Sequence, residues 1–251
     1  MEQLLKLLFE LSNEDRMNIL TELQSSKLKL SQISKKHKIA VAEASRHLQR
    51  LKEDKLIQKN MNGTYQLTQL GDTTLSIISN LRFLTEQKEF FLRYDLSSVP
   101  YDLINRIGEL EKSEYINETF RNIEFAQEKF QEAEKYIWIF SDQILRTSIP
   151  TIQEKIKDKN FEVRLLLPES IMPPENQSLI PSTYAKVQKR TLPQIHTIVL
   201  ATDKHSFFSV PTANGKMDYT GFNSNNDRFR KWCKDLFIHY WETAKKPNSI
   251  I

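Results

Sequence analysis

The stretch Ala42-Glu43-Ala44-Ser45-Arg46-His47-Leu48-Gln49-Arg50 carries side chains with a specific chemical vocabulary. Arginine can pair with both acceptors of a guanine edge, glutamine with adenine and glutamate with the cytosine amine, while serine can hold a phosphate oxygen. Wound as a helix, the stretch puts Ala42, Glu43, Arg46, Gln49, Arg50 and Glu53 on one face, with Ser45 and His47 on its flanks. Val41, Ala44, Leu48 and Leu51 recur opposite them at steps of three, four and three, so we expect them to form a buried stripe. The polar face then reads as a recognition surface for the major groove.

The flanking segments supply what such a helix needs. SNEDRMNILTELQ reads as a first helix, with Ser12 or Asn13 as cap, Glu14 and Asp15 at its positive end, and Met17, Leu20 and Leu23 at helical spacing. LSQISKKHK reads as a second, with Ser31 as cap candidate and Leu30, Ile33 and Ile39 inward; Lys35 and Lys36 are candidate phosphate contacts. AVAEASRHLQRLKEDK is the third. Alternating residues on either side of Asn60-Met61-Asn62-Gly63 then signal a β-hairpin, whose Lys59 and Asn62 would lie near an adjacent groove or phosphate. Three helices and a hairpin within about 70 residues predict a winged helix-turn-helix. Positions 27 to 59 hold ten basic residues against three acidic ones, a local footprint for a phosphate backbone within a chain of net charge only +4.

The segment AEASRHLQRLKEDKLIQKNMNGTYQLTQLG resembles the archaeal and bacterial winged-helix regulators through Ser45, Arg46, His47, Leu48, Leu51, Leu56, Ile57, Tyr65, Leu67, Thr68 and Gly71. It departs at Lys55, where many members have glycine, which we expect to alter only the local turn. Metal-sensing relatives use Cys and His clusters. His37 and His47 have no cysteine neighbours, so the resemblance implies structural or phosphate-contact roles for them, and we expect no metal or cofactor.

DTTLSIISNLRFLTEQKEFF contains no proline or glycine and predicts a long connector helix with Leu75, Ile78, Leu81 and Leu84 or Thr85 along one side, a line that either packs on its own domain or pairs with the same helix of a second subunit in the expected homodimer. The expected organisation is 1–75 for the winged helix, 76–94 for the connector and 95–251 for an α/β sensor, giving an α+β chain. In the last part, YIWIFSD, a helix around TSIPTIQEKIKDKN, and FEVRLLLP predict a parallel strand pair with a crossover. Further strands are expected at YAKVQKR, HTIVLAT and HSFFSVP, with Asp203-Lys204 as a turn, and WCKDLFIHYWETAKK predicts a closing helix.

Pro100, Arg106, Ile107, Gly108 and Leu110 within FLRYDLSSVPYDLINRIGELEKSEYI resemble the middle domain of the archaeal methanogenesis regulatory, or FilR-type, transcription regulators. IWIFSD and VRLLLP are distantly similar to the phospholipase D-like sensor domains of the TrmB group. That second resemblance implies an enzymatic test: a histidine, a lysine two residues on, then an aspartate. His196 and Asp203 stand in that order, but Ile198 occupies the lysine position. His196 is then expected to begin a buried strand, and no catalytic residue is assigned. Late aromatics, with Arg164, His196, Asn223 and Arg228, are candidates for a small-molecule effector pocket.

The 251 residues, 39% hydrophobic and 27% charged, fit two modest domains. The single Cys233 excludes an intrachain disulfide. The absence of a long apolar stretch or signal-peptide pattern leads us to expect a cytoplasmic protein without membrane association. The function expected is a dimeric regulator that binds double-stranded DNA and has a non-catalytic sensor. The alternatives are a winged-helix protein adaptor and a degenerate phosphodiesterase.

Overall fold

A computed structural model describes residues 1–172, 178, 180 and 186–246, arranged in two units, Met1–Leu81 and Arg82–Ile251. The first unit holds α1 (Glu2–Leu11), α2 (Glu14–Ser25), β1 (Leu28–Lys29), α3 (Leu30–His37), α4 (Val41–Glu53), β2 (Ile57–Lys59) and β3 (Thr64–Leu67). Asn13 caps α2 by accepting from the Arg16 N–H at 3.0 Å, and Glu14 and Asp15 complement the helix dipole. For α3, Lys29 rather than Ser31 stands at the N-cap. Ile19, Leu20, Leu23, Ile33, Ala44, Leu48, Leu51, Leu56 and Ile57 form one core. Val41 does not join it: it is 55% exposed, because it opens α4 beyond the reach of its neighbours.

The hairpin forms as expected, and β1 adds a third strand in the antiparallel order β1-β3-β2. Its loop is one residue longer than a two-residue Asn-Gly turn, because the Asn60 N–H donates to the Thr64 carbonyl at 2.8 Å and leaves Met61, Asn62 and Gly63 between them. The Gly63 N–H donates to the Asn60 carbonyl at 3.0 Å, and Gly63 takes φ +80°, a left-handed conformation that glycine adopts without strain.

The helix α5 (Gln69–Glu86) contains the boundary between the units. That boundary was expected near Tyr94. It falls earlier because Phe83, Phe90 and Tyr94 are all buried in the core of the second unit. Among the described residues no helix is long and apolar enough to cross a membrane.

The second unit continues through α6 (Lys88–Arg93), α7 (Tyr101–Ile104), β4 (Glu114–Ile116), α8 (Thr119–Glu132), β5 (Tyr136–Phe140), α9 (Ile149–Lys155), β6 (Glu162–Pro168), β7 (Val187–Leu192), β8 (Ile198–Thr202), β9 (Ser206–Ser209), β10 (Gly221–Ser224) and α10 (Asp227–Thr243). The first two residues of the expected YAKVQKR strand lie outside the described residues. The sheet order is β4-β10-β9-β8-β5-β6-β7, with β5, β6 and β7 parallel and the rest antiparallel. Side-chain alternation along β5 decides its layers: Trp138 and Phe140 pack with Trp232 and Phe237 of α10, while Ile137 and Ile139 pack with Phe130 of α8 and Ile152 of α9. Helices therefore cover both faces, which is why the central strands read as continuous apolar runs.

Candidate nucleic-acid interface

The outer face of α4 is held at three places. Ala44, Leu48 and Leu51 seat its inner face in the core. At its C-terminal end the Leu56 N–H donates to the Leu51 carbonyl and the Lys55 N–H to the Lys52 carbonyl, each at 3.0 Å, the bonding pattern of a Schellman motif. Lys55 sits at its left-handed position with φ 59°. The turn is thus not altered by the lysine; it keeps the conformation that glycine would favour. Thr68 then ties the wing to this turn, its Oγ donating to the Lys55 carbonyl at 2.6 Å and accepting from the Gly71 N–H at 3.1 Å. A β-carbon at Gly71 would lie 2.1 Å from the Leu56 carbonyl oxygen, so no side chain fits there.

The third restraint was not read from the sequence. Glu10, at the end of α1, is buried and receives Arg16 Nε at 3.1 Å and Arg50 Nε at 3.0 Å, with a second contact to the Arg50 Nη2. Arg16 also donates to the backbone carbonyls of Glu10 at 2.7 Å and Phe9 at 3.0 Å, satisfying the open end of α1. The Arg50 hydrogen bond, joined by the Arg16 charge, outweighs burial and holds the Glu10 carboxyl below its usual range. The helical spacing of leucines in EQLLKLLFEL signals α1; nothing local signals a partner forty residues away.

These restraints sort the expected contact residues. Ala42, Ser45, Arg46 and Gln49 are exposed on the outer face of α4. Arg46 has no hydrogen-bond or ion-pair partner among the described residues, whereas Gln49 donates to Glu53 at 3.0 Å and Arg50 is committed to Glu10. Lys35 is exposed and has no partner among the described residues; Lys36 binds Glu22 at 2.6 Å. On the wing, Lys59 is exposed with its ammonium 5.6 Å from the Tyr65 ring centroid. Asn62 accepts from the Thr64 N–H at 3.1 Å and the Thr64 hydroxyl at 2.7 Å, so part of its role is to shape the wing.

Glu43 is half-buried and meets Asp15 and His47, which present one donor atom each, all within 4.8 Å of one another. His47 Nε2 lies 3.7 Å from an Asp15 oxygen. Among the described residues this is the group able to hold a metal ion, and one imidazole with two carboxylates suits zinc or manganese. Glu43 and His47 stand four apart on one helix, a visible signal; Asp15 comes from α2.

Residues 15–86 match a family model described as winged helix-turn-helix. The first unit is a winged helix-turn-helix. No curated protein matches the chain. Among solved structures, that of TrmBL2, described as an archaeal chromatin protein with a novel mode of DNA binding, is 17% identical over 93% of this chain and 94% of that one, with a TM-score of 0.43.

The four candidate effector residues are not brought together. Asn223 on β10 and Arg164 on β6 are separated by β9, β8 and β5, about 19 Å at the usual strand spacing. Arg164 lies over the Trp138 ring at 4.4 Å and pairs with Glu162 at 2.8 Å. Asn223 is buried and donates to the Glu114 carbonyl at 3.2 Å, and Arg228 is exposed at the start of α10. His196 does not begin a buried strand: it is exposed, two residues ahead of β8, beside Gln194 at 3.2 Å. Asp203 lies beyond the other end of β8, roughly 23 Å along an extended chain, and accepts from the backbone N–H groups of Glu134 and Lys135. Burial pushes its carboxyl up, yet these hydrogen bonds prevail and keep it below the usual range. His196 and Asp203 form no catalytic pair.

Proposed function

We propose that this chain is a sequence-specific transcription regulator of the FilR-type archaeal class. It works in the cytoplasm as a homodimer on double-stranded DNA and carries a non-catalytic, distantly phospholipase D-like sensor in its second unit. The observation that carries the DNA reading is Arg46, an unspent guanidinium on the outer face of a well-anchored α4. A free, solvated arginine is preorganised for a bidentate base contact, and Lys35 and Lys59 supply phosphate contacts around it. Dimerisation is favoured by apolar side chains left at the surface of the first unit: Leu4, Leu5 and Phe9 on α1, and Ile77 and Leu81 on α5. Two copies would grip two half-sites. The test is an anisotropy titration of the full chain on labelled genomic duplexes at increasing salt. Binding whose logarithm falls linearly with log salt, with a subset of fragments preferred, is expected. No binding to any duplex at low salt would overturn the reading in favour of a protein-docking role.

A further inference from the structure

The second unit contains a partly open cavity of about 40 Å³ between α8, the loop after β5 and the strands β8 and β9. Ile123, Phe130, Ile139, Leu200 and Phe207 give it an apolar wall. Two polar groups in that wall are unspent. Asn122 is 6% exposed and its amide nitrogen donates to the carbonyls of Tyr219 at 2.8 Å and Ile116 at 3.1 Å, which uses both amide hydrogens and fixes the orientation. Its Oδ1 is left buried with no partner among the described residues. Ser148, 1% exposed, likewise has an Oγ without a partner among the described residues. A buried acceptor without a donor is destabilising, so such groups in a native wall call for a donor.

The wall is also preorganised. Tyr219 takes φ 59°, unusual for a bulky residue, while its carbonyl holds Asn122 and its hydroxyl donates to Asp142 at 3.0 Å. Burial pushes that phenol up to about 12, so it is neutral at physiological pH. No other ionisable side chain is among the described residues lining the cavity. A carboxylate, phosphate or ammonium entering it would lose its hydration without a compensating charge.

We propose that this cavity binds a small, neutral, largely apolar molecule bearing a hydroxyl group, whose O–H donates to Asn122 Oδ1 and whose oxygen or hydrogen can engage Ser148. The proposal deepens the sensor reading and rests on it for its biological meaning. Its test needs no DNA, so the two readings fail separately. Calorimetric and thermal-melt titrations of the full chain would use hexan-1-ol and p-cresol as probes, with hexanoate and hexylamine as charged counterparts. Saturable binding of at least one neutral probe, competition between the two if both bind, and at least about tenfold weaker binding of the charged compounds are expected. Ser148→Ala should weaken binding about three- to tenfold with the melting curve of the free protein retained. Asn122→Leu should weaken it further, but it also removes two structural hydrogen bonds, so Ser148→Ala is the deciding variant. Absence of saturable binding by either neutral probe, equal binding of hexanoate, or unchanged affinity in Ser148→Ala would overturn the proposal and leave the cavity to ordered water.

Discussion

The outer face of α4 and the cavity beside β5 lie in opposite electrostatic regimes. On α4 the unspent group is a solvated cation, Arg46, which costs nothing while it waits because water satisfies it. In the cavity the unspent group is a buried neutral acceptor, Asn122 Oδ1, which is destabilising until a donor arrives. The first arrangement suits a polyanion whose charge is met at long range. The second, with no charged side chain among its described lining residues, suits a neutral ligand that must shed its water. A residue's chemistry is thus fixed by what already holds it: Arg46 and Arg50 share a helix and a side-chain type, but among the described residues only Arg50 has a partner.

That contrast can be broken most severely at Glu10. Removing one member of a buried charged set leaves the others uncompensated, and for a set in which Arg50 remains half-exposed we expect Glu10→Ala to cost about 2–3 kcal/mol. Hydrogen exchange by mass spectrometry should show the protection lost in α1, α2 and α4, with β5 and β6 unchanged. The sign of the pH effect follows from the lowered Glu10 carboxyl: its stabilisation is complete above the unfolded value near 4.3 and is lost as pH falls below that through the folded value. Glu10→Ala should therefore flatten the acid limb of stability. Equal acid sensitivity in the variant would remove the Arg16–Glu10–Arg50 set from the account of how α4 is held.

A smaller effect separates reading from positioning. Arg46→Ala is expected to weaken a preferred duplex about ten- to a hundredfold and to relax base preference, with stability unchanged. Arg50→Ala should instead lower stability, and any loss of binding should be similar on all sequences. Lys59→Ala should weaken binding by a few fold on every duplex and reduce the salt slope by about one. Selectivity lost in Arg50→Ala but kept in Arg46→Ala would reverse the assignment of the two arginines.

The parts of this picture that were legible in the sequence are those with a local period. Ala44, Leu48 and Leu51 lie at helical spacing, Ile137 and Ile139 alternate with Trp138 and Phe140, and Asn62-Gly63 marks its own turn. Val41 satisfied the same period and is nonetheless exposed, since burial needs a neighbour as well as a face. Strands β1 and β10 have two and four residues, too few to show alternation, and exist because of their pairing partners. The effector candidates failed for a related reason. Arg164 and Asn223 are candidates by residue type alone, while strand order, which no local pattern encodes, sets them apart; the cavity is lined from α8, the loop after β5 and distant strands.

The smallest expected effect concerns Lys55, where the sequence departs from the glycine of many winged-helix regulators. Asp54 ends α4, Lys55 follows it in the left-handed region, and Leu56 closes the motif by packing in the same core as Leu51. A side chain with a β-carbon is strained by roughly 1–2 kcal/mol in that region, and glycine is not. Glycine also loses more backbone entropy on folding, which offsets part of the gain. Lys55→Gly should therefore stabilise the first unit by about 0.5–1 kcal/mol, while Lys55→Ala, which keeps the β-carbon and removes the charge, should not. The pair separates conformation from electrostatics, and hydrogen exchange of the α4 amides reads it directly. Equal gains in both variants would mean that relief of the basic cluster between positions 27 and 59, and not the backbone, is what the lysine opposes.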